Sequence, residues 1–162
     1  MTESWPLKLR VRPLTTTDAD DIAAWRYDGP WTIYNPPASL RAEDGYWAVS
    51  GADDVLVGYL CLGFDARVPG LDAADDREDL GVGMRPDLTG SGHGKAFGAT
   101  VLAFAREHTG VRRLRAVVQS WNTRSRRLFR SLGFTETGVH TCIQNGQEVE
   151  YTVLIAGLSV RQ

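Results

Sequence analysis

The stretch Leu88–Gly98, LTGSGHGKAFG, places four glycines within eleven residues, just ahead of a run with helical spacing. Glycine gives up more backbone freedom on folding than any other residue, so such a cluster needs a reason. Upstream, DLGVGMR (79–85) reads as a strand. Downstream, GKAFGATVLAFAREHTG (94–110) reads as the strongest helix of the chain: Ala96, Phe97, Thr100, Val101, Phe104 and Ala105 fall near one stripe, and Gly110 is a natural stop. A helix N-terminus presents unpaired N–H donors and a partial positive charge. Removing Cβ atoms from the turn lets an anion approach those donors, so Gly90, Gly92 and Gly94 suit backbone binding of a phosphate. Two familiar phosphate turns fail. A P-loop requires Ser or Thr after Gly-Lys, but Gly94-Lys95 is followed by Ala96, and its first glycine would be Thr89. The dinucleotide pattern places its third glycine on Lys95 or Phe97. On this stretch alone, a plain tight turn between strand and helix is the alternative.

Working outward, LKLRVRPL (7–14) alternates as a half-buried strand, and TTTDADDIAAW (15–25) has a Thr or Asp N-cap with acids in its first turn, followed by an apolar face. YDGPWTIYNPPASL (27–40) is aromatic and broken by prolines, hence irregular. GYWAVS (45–50) and VLVGYLCLGF (55–64) are strands joined by GADD. RRLRAVVQ (112–119) is another strand, and NTRSRRLFRSLGF (122–134) is a short helix capped by Asn122 and stopped at Gly133. TGVHTCIQ (137–144) and EVEYTVLIA (148–156) flank Asn145-Gly146, a strong hairpin signal. No repeat, linker or low-complexity segment is visible. The order describes one α/β domain with a mixed central sheet and helices on both faces.

The chain has 162 residues, 43% apolar and 23% charged, with a net charge of −2. That composition is globular and argues against a nucleic-acid partner, although seven arginines crowd residues 112–130. No apolar run is long enough to cross a membrane, and the start lacks a secretory pattern, so the expected location is cytoplasmic. Cys61 and Cys142 are read as reduced core thiols, and no His, Cys or Asp set has metal-binding spacing.

Together, MRPDLTGSGHGKAF (84–97) and NTRSRRLFRSLGF resemble the GNAT N-acetyltransferase superfamily. That family's turn reads Arg/Gln-x-x-Gly-x-Gly/Ala. Its later helix reads Asn-x-x-Ala/Ser-x-x-Leu-Tyr/Phe-x-x-x-Gly-Phe, met here by Asn122, Ser125, Leu128, Phe129, Gly133 and Phe134. The order of strands and helices agrees as well. The resemblance implies a mostly antiparallel sheet in which two parallel strands, 78–85 and 114–119, splay into a V that holds acetyl-CoA. The pantetheine arm would pair with Val82, Gly83 and Met84, and the diphosphate would sit on the amides of Thr89, Gly90, Ser91, Gly92, His93, Gly94 and Lys95. Asn122 would contact the same region, and Arg124, Arg126 or Arg127 would meet phosphate. Two departures stand out. Thr89 replaces the family's Arg/Gln, and Phe129 replaces the tyrosine that often protonates the departing thiolate, leaving water, Ser120, Ser125 or Tyr151 as substitutes.

An alkyl amine is mostly protonated at pH 7, so transfer needs a base. Strand alternation puts Glu78 on the same face as Leu80, Val82 and Met84, and by resemblance a carboxylate here is the base in the histone-acetylating branch. Asp79, on the opposite face, is second choice, and His140 follows it. Trp25, Tyr27, Asp28, Trp31 and Tyr34 offer an aromatic and acidic wall for an amine acceptor. The function expected is acetyl transfer to a small-molecule amine or a protein N-terminus, without a metal. The alternative is a non-catalytic acyl-CoA-binding or sensor module. A homodimer is the candidate assembly.

Overall fold

The computed structural model describes residues 8–34, 36, 40–90 and 92–158, with only the backbone given for Ile33 and Tyr34. Seven strands form one sheet in the order β1-β2-β3-β4-β5-β7-β6. They are β1 (Leu9–Pro13), β2 (Tyr46–Gly51), β3 (Leu56–Leu62), β4 (Arg77–Met84), β5 (Arg113–Gln119), β6 (Thr135–Gln144) and β7 (Gln147–Gly157). All neighbouring pairs are antiparallel except β4 and β5. That parallel pair follows from the connection between its strands, because only a crossover returns a strand in the same direction. The crossover is α2 (Gly94–Thr109).

The remaining helices are α1 (Thr16–Ala23) and α3 (Thr123–Ser131). A capping box starts α1: the Thr15 hydroxyl accepts from the Asp18 N–H at 3.1 Å, and Asp18 accepts from the Thr15 N–H at 2.9 Å. Its apolar stripe, Ala19 and Ile22, continues into Trp25 and packs with Ala48 and Leu56 on one face of the sheet. On the other face, Phe97, Val101, Leu102 and Ala105 of α2 pack on Val49, Leu60, Leu80 and Leu114. At Gly98 the missing side chain admits Leu132, where any Cβ would strike the leucine, and α3 thereby closes on α2.

The hairpin turn is as expected, with Asn145 at φ 50° and Gly146 at φ 76°. Differences from the expectations are local. The first helix ends at Ala23, and the Trp25 ring beyond it stays in the core. The segment read as irregular contains a 3-10 turn, Gly29–Tyr34, and residues 35 and 37–39 lie outside the described part. Cys61 is buried, but Cys142 is half-buried because β6 is an edge strand with one neighbour; both are free thiols. No helix among the described residues is long and apolar enough to span a membrane.

Candidate active site

Pairing of β4 with β5 covers only Arg77–Asp79 against Arg113–Arg115. Beyond Asp79, β4 stays with β3 through Met84, and β5 stays with β7 through Gln119. The two strands therefore part, leaving a wedge-shaped gap in the middle of the sheet. Gly63 N–H donates to the Asp79 carbonyl at 2.9 Å and Arg85 N–H to the Val57 carbonyl at 2.8 Å. Backbone groups alternate sides along a strand, so those of Leu80, Val82 and Met84 turn into the gap, while those of Gly81 and Gly83 face β3. One gap-facing carbonyl is already engaged: Tyr27 Oη donates to Met84 O at 2.7 Å. Burial, and secondarily the nearby Tyr59, push the Tyr27 hydroxyl well above the usual phenol range, so it stays a donor.

The apex of the gap is held by charge. Asp79, 2% exposed, accepts from Arg115 Nε at 2.6 Å and Nη2 at 3.1 Å, and from Arg67 Nε at 2.8 Å. Glu78, next in line, turns its Oε1 to the Asp79 N–H at 3.1 Å and sits near Gly63, beside the closed end of the wedge.

At the open end, β4 leads through a short 3-10 turn (Pro86–Leu88) into the glycine turn. Thr89 is committed to that turn: its N–H and its hydroxyl both donate to the Pro86 carbonyl. Gly90 at φ 75° and Gly92 at φ 85° adopt left-handed conformations that cost L-residues with a Cβ about 1–2 kcal/mol. A Cβ on Gly92 would meet nothing within 4 Å. Ser91 lies outside the described residues. His93 is the N-cap of α2 but gives no side-chain cap, and the first intrahelical bond runs from Phe97 N–H to His93 O. The amides of Gly94, Lys95 and Ala96 therefore have no partner within the helix, while the Lys95 side chain is exposed beside them.

Across the gap, Asn122 is 4% exposed and caps α3 by accepting from Ser125 N–H at 3.1 Å. The α3 arginines separate by task. Arg126 is tied to Glu136 at 2.9 and 3.0 Å. Arg124 lies 4.4 Å above the Trp31 ring, with its guanidinium about where a Cβ on Gly90 would make contact. Arg127 is exposed. Phe129 is 4% exposed and packs edge-on against Phe134, as a core residue.

The aromatic segment is divided. Trp25 is 6% exposed, against Tyr59. Tyr27 and Trp31 reach the mouth of the wedge, where Trp31 meets the Trp121 ring edge-on at 5.8 Å. Asp28 is exposed, and the Tyr34 side chain lies outside the described part. His140 Nε2 is 2.8 Å from Pro69 O, at the start of the loop PGLDAADDRE (69–78). Sequence reasoning passed over Arg67 and Arg115. Their signal was Asp79 itself: a carboxylate midway along a strand of a buried parallel pair requires a cationic partner. Among the described residues, no group of three or more His, Cys, Asp or Glu side chains is placed to hold a metal.

A family model, Acetyltransferase (GNAT) family, matches residues 13–134. No curated protein sequence gives a significant match. Among solved structures, an acetyltransferase (GNAT family) from Bacillus anthracis superposes with a TM-score of 0.71 at 16% identity, covering 94% of this chain and 96% of that one. Spermidine N-acetyltransferase from Vibrio cholerae in complex with CoA and spermine gives 0.70 at 14% identity, covering 93% and 95%. The structure of yncA from Salmonella typhimurium with its cofactor acetyl-CoA gives 0.66 at 22% identity, covering 94% and 95%. At such identities the likeness establishes a shared fold.

Proposed function

The chain belongs to the acetyltransferase (GNAT) family, and from that membership we propose that it moves an acetyl group from acetyl-CoA to a primary amine by direct attack on the thioester. The observation that carries this reading is the end of the β4–β5 ladder at Asp79 and Arg115, with the resulting gap leading to an uncapped helix N-terminus. The fit to the coenzyme is chemical. The gap offers strand edges for an amide-bearing arm, and the turn is open at Gly92, just ahead of the α2 amides that would meet a diphosphate.

When bound, acetyl-CoA supplies an activated acyl group and a thiol leaving group whose pKa is about 8.5, close to that of free cysteine. Val82 and Met84 pair their gap-facing groups with the pantetheine arm, with Gly83 keeping β4 on β3 beside them. Amides of residues 90–95, from Gly90 through Ser91, Gly92, His93 and Gly94 to Lys95, hold the diphosphate, and Thr89 shapes the turn before them. Arg124 and Arg127 meet the remaining phosphate charge, and Asn122 holds the head of α3 in place. The Val82 N–H hydrogen-bonds the thioester oxygen as negative charge grows there. Glu78 takes the amine proton through water at its carboxylate. Phe129 has no proton to give, so water protonates the thiolate. Tyr27, Asp28 and Trp31 border the mouth past which the acceptor, a small-molecule amine or a protein N-terminus, comes in.

The test is release of free CoA thiol from acetyl-CoA on addition of amines, together with calorimetric binding of CoA. Thiol release with at least one amine supports the reading. Tight CoA binding with no turnover across a broad amine panel would instead favour a non-catalytic acyl-CoA-binding module.

A further inference from the structure

On the α2 side, Val82 and Met84 pack against the core formed with α2 and α3. The opposite side is crossed by residues 64–73. There Ala66 lies over Gly81, with 3.5 Å between its Cβ and an ideal Cβ on that glycine. Arg67 bonds Asp79, the Asp72 carbonyl accepts from Arg115 Nη2 at 3.0 Å, and the Pro69 carbonyl meets His140. Between this loop and Tyr46 lies a cavity of about 670 Å3, lined in part by Phe64, Asp65, Arg67 and Asp72. Two of its lining residues, Arg67 and Asp72, are thus bonded directly to the apex pair.

The charges of this cavity are arranged unequally. Asp79, with Glu78 beside it, faces two guanidiniums, and of these Arg67 is the cation among the described residues that line the cavity. Arg67 is oriented through Nε by Asp79 and lies 5.8 Å from the Phe64 ring centre, with its side chain only 17% exposed. Its two terminal nitrogens make no hydrogen bond among the described residues and are not enclosed, which leaves a fixed fork facing the cavity. Asp65 and Asp72, by contrast, are exposed at the rim. Burial, with Cys61 and Asp65 nearby, pushes the Tyr46 hydroxyl far up, so it adds no charge. A planar fork is the geometry that takes a carboxylate by two parallel bonds. A polyamine would bring cations against Arg67, and a dicarboxylate would bring anions against Asp65 and Asp72. One positive and one negative group on a single small molecule match both.

We infer that this cavity is the acceptor site and that it takes a zwitterion of the amino-acid class, with Arg67 binding the carboxylate and leaving the amine toward the thioester. The inference rests on the acetyl-transfer reading for its chemistry, but its binding half stands without turnover. The experiment therefore has two arms, both on the full chain saturated with coenzyme. In the first, the common amino acids, their methyl esters and the diamine putrescine are titrated calorimetrically against the CoA complex. In the second, the same compounds are scored for thiol release from acetyl-CoA.

The expected result is binding of at least one free amino acid about tenfold or more tighter than its ester, from loss of a charge-assisted fork. That ratio falls toward one in Arg67→Gln and partly returns in Arg67→Lys. Equal or better binding of esters or putrescine, no binding of any amino acid, or an Arg67→Gln variant that weakens acid and ester alike would overturn the inference. Amino-acid binding without thiol release would sustain the site and overturn the transfer reading. Turnover of esters or putrescine alone would do the reverse.

Discussion

Asp79 of β4 and Arg115 of β5 face each other in the last pair of the parallel ladder, joined by bonds of 2.6 and 3.1 Å, and the strands separate immediately beyond them. The gap therefore has a buried ion pair at its apex, reinforced from the side by Arg67. Removing one partner of such a pair leaves uncompensated charge and costs about 3–5 kcal/mol. Asp79→Ala, which strands two guanidiniums, is expected to lose that much in urea unfolding. A loss below about 1 kcal/mol would mean that the pair does not hold the apex.

Glu78→Gln tests the proposed base. The carboxylate accepts the amine proton, so in the parent protein kcat/KM should fall toward acid pH. The amide variant should show lower kcat/KM and a flattened acidic limb. An unaltered pH profile would remove Glu78 from proton transfer and turn attention to His140.

The α3 arginines should respond differently to truncation. Arg124 stands beside Gly90 at the coenzyme turn, whereas Arg126 is committed to Glu136. Arg124→Ala is expected to raise the calorimetric Kd for CoA about tenfold, the scale of one lost charge-assisted bond. Arg126→Ala should leave that Kd within about twofold and change stability little, as exposed pairs do. Equal effects on CoA affinity would show that the turn does not distinguish them.

Asp18 gives a pH-dependent contribution to stability. Burial pushes its carboxyl up, but Arg12 at 3.0 Å and the Thr15 N–H at 2.9 Å outweigh this and hold it below the ordinary carboxylate value. A lowered folded pKa contributes stability above the unfolded value, about 3.9. That stability is lost as pH falls through the folded pKa. Asp18→Ala should therefore destabilise by about 2 kcal/mol at pH 7, from the lost cap and ion pair, and progressively less below pH 4. A difference that stays constant down to pH 2 would contradict the assignment.

Much of this arrangement was legible because it is local. The four-glycine turn, the helical stripe after it, the Asn122 cap and the Asn145-Gly146 hairpin are each specified within a few neighbouring residues. Trp25 shows a local signal left unused: Ala19, Ile22 and Trp25 recur every three residues, which continues the buried stripe of α1. The apex was not legible in this way. Arg67, Asp79 and Arg115 come from a loop and two strands, and only the strand register brings them together. The stacking of Arg124 on Trp31 likewise joins segments more than ninety residues apart.

The account rests on backbone amides at the start of α2 holding an anionic coenzyme, and a paired substitution at Gly92 tests this most directly. Asp and Asn tolerate left-handed φ better than most residues, and a Cβ there meets open space, so both variants should fold. They differ in one negative charge placed at the amides. Calorimetric titration with CoA should show Gly92→Asp binding about tenfold or more weaker than Gly92→Asn, a gap of about 1.4 kcal/mol. Equal affinities in the two variants, both close to the parent protein, would place the diphosphate elsewhere and contradict the account.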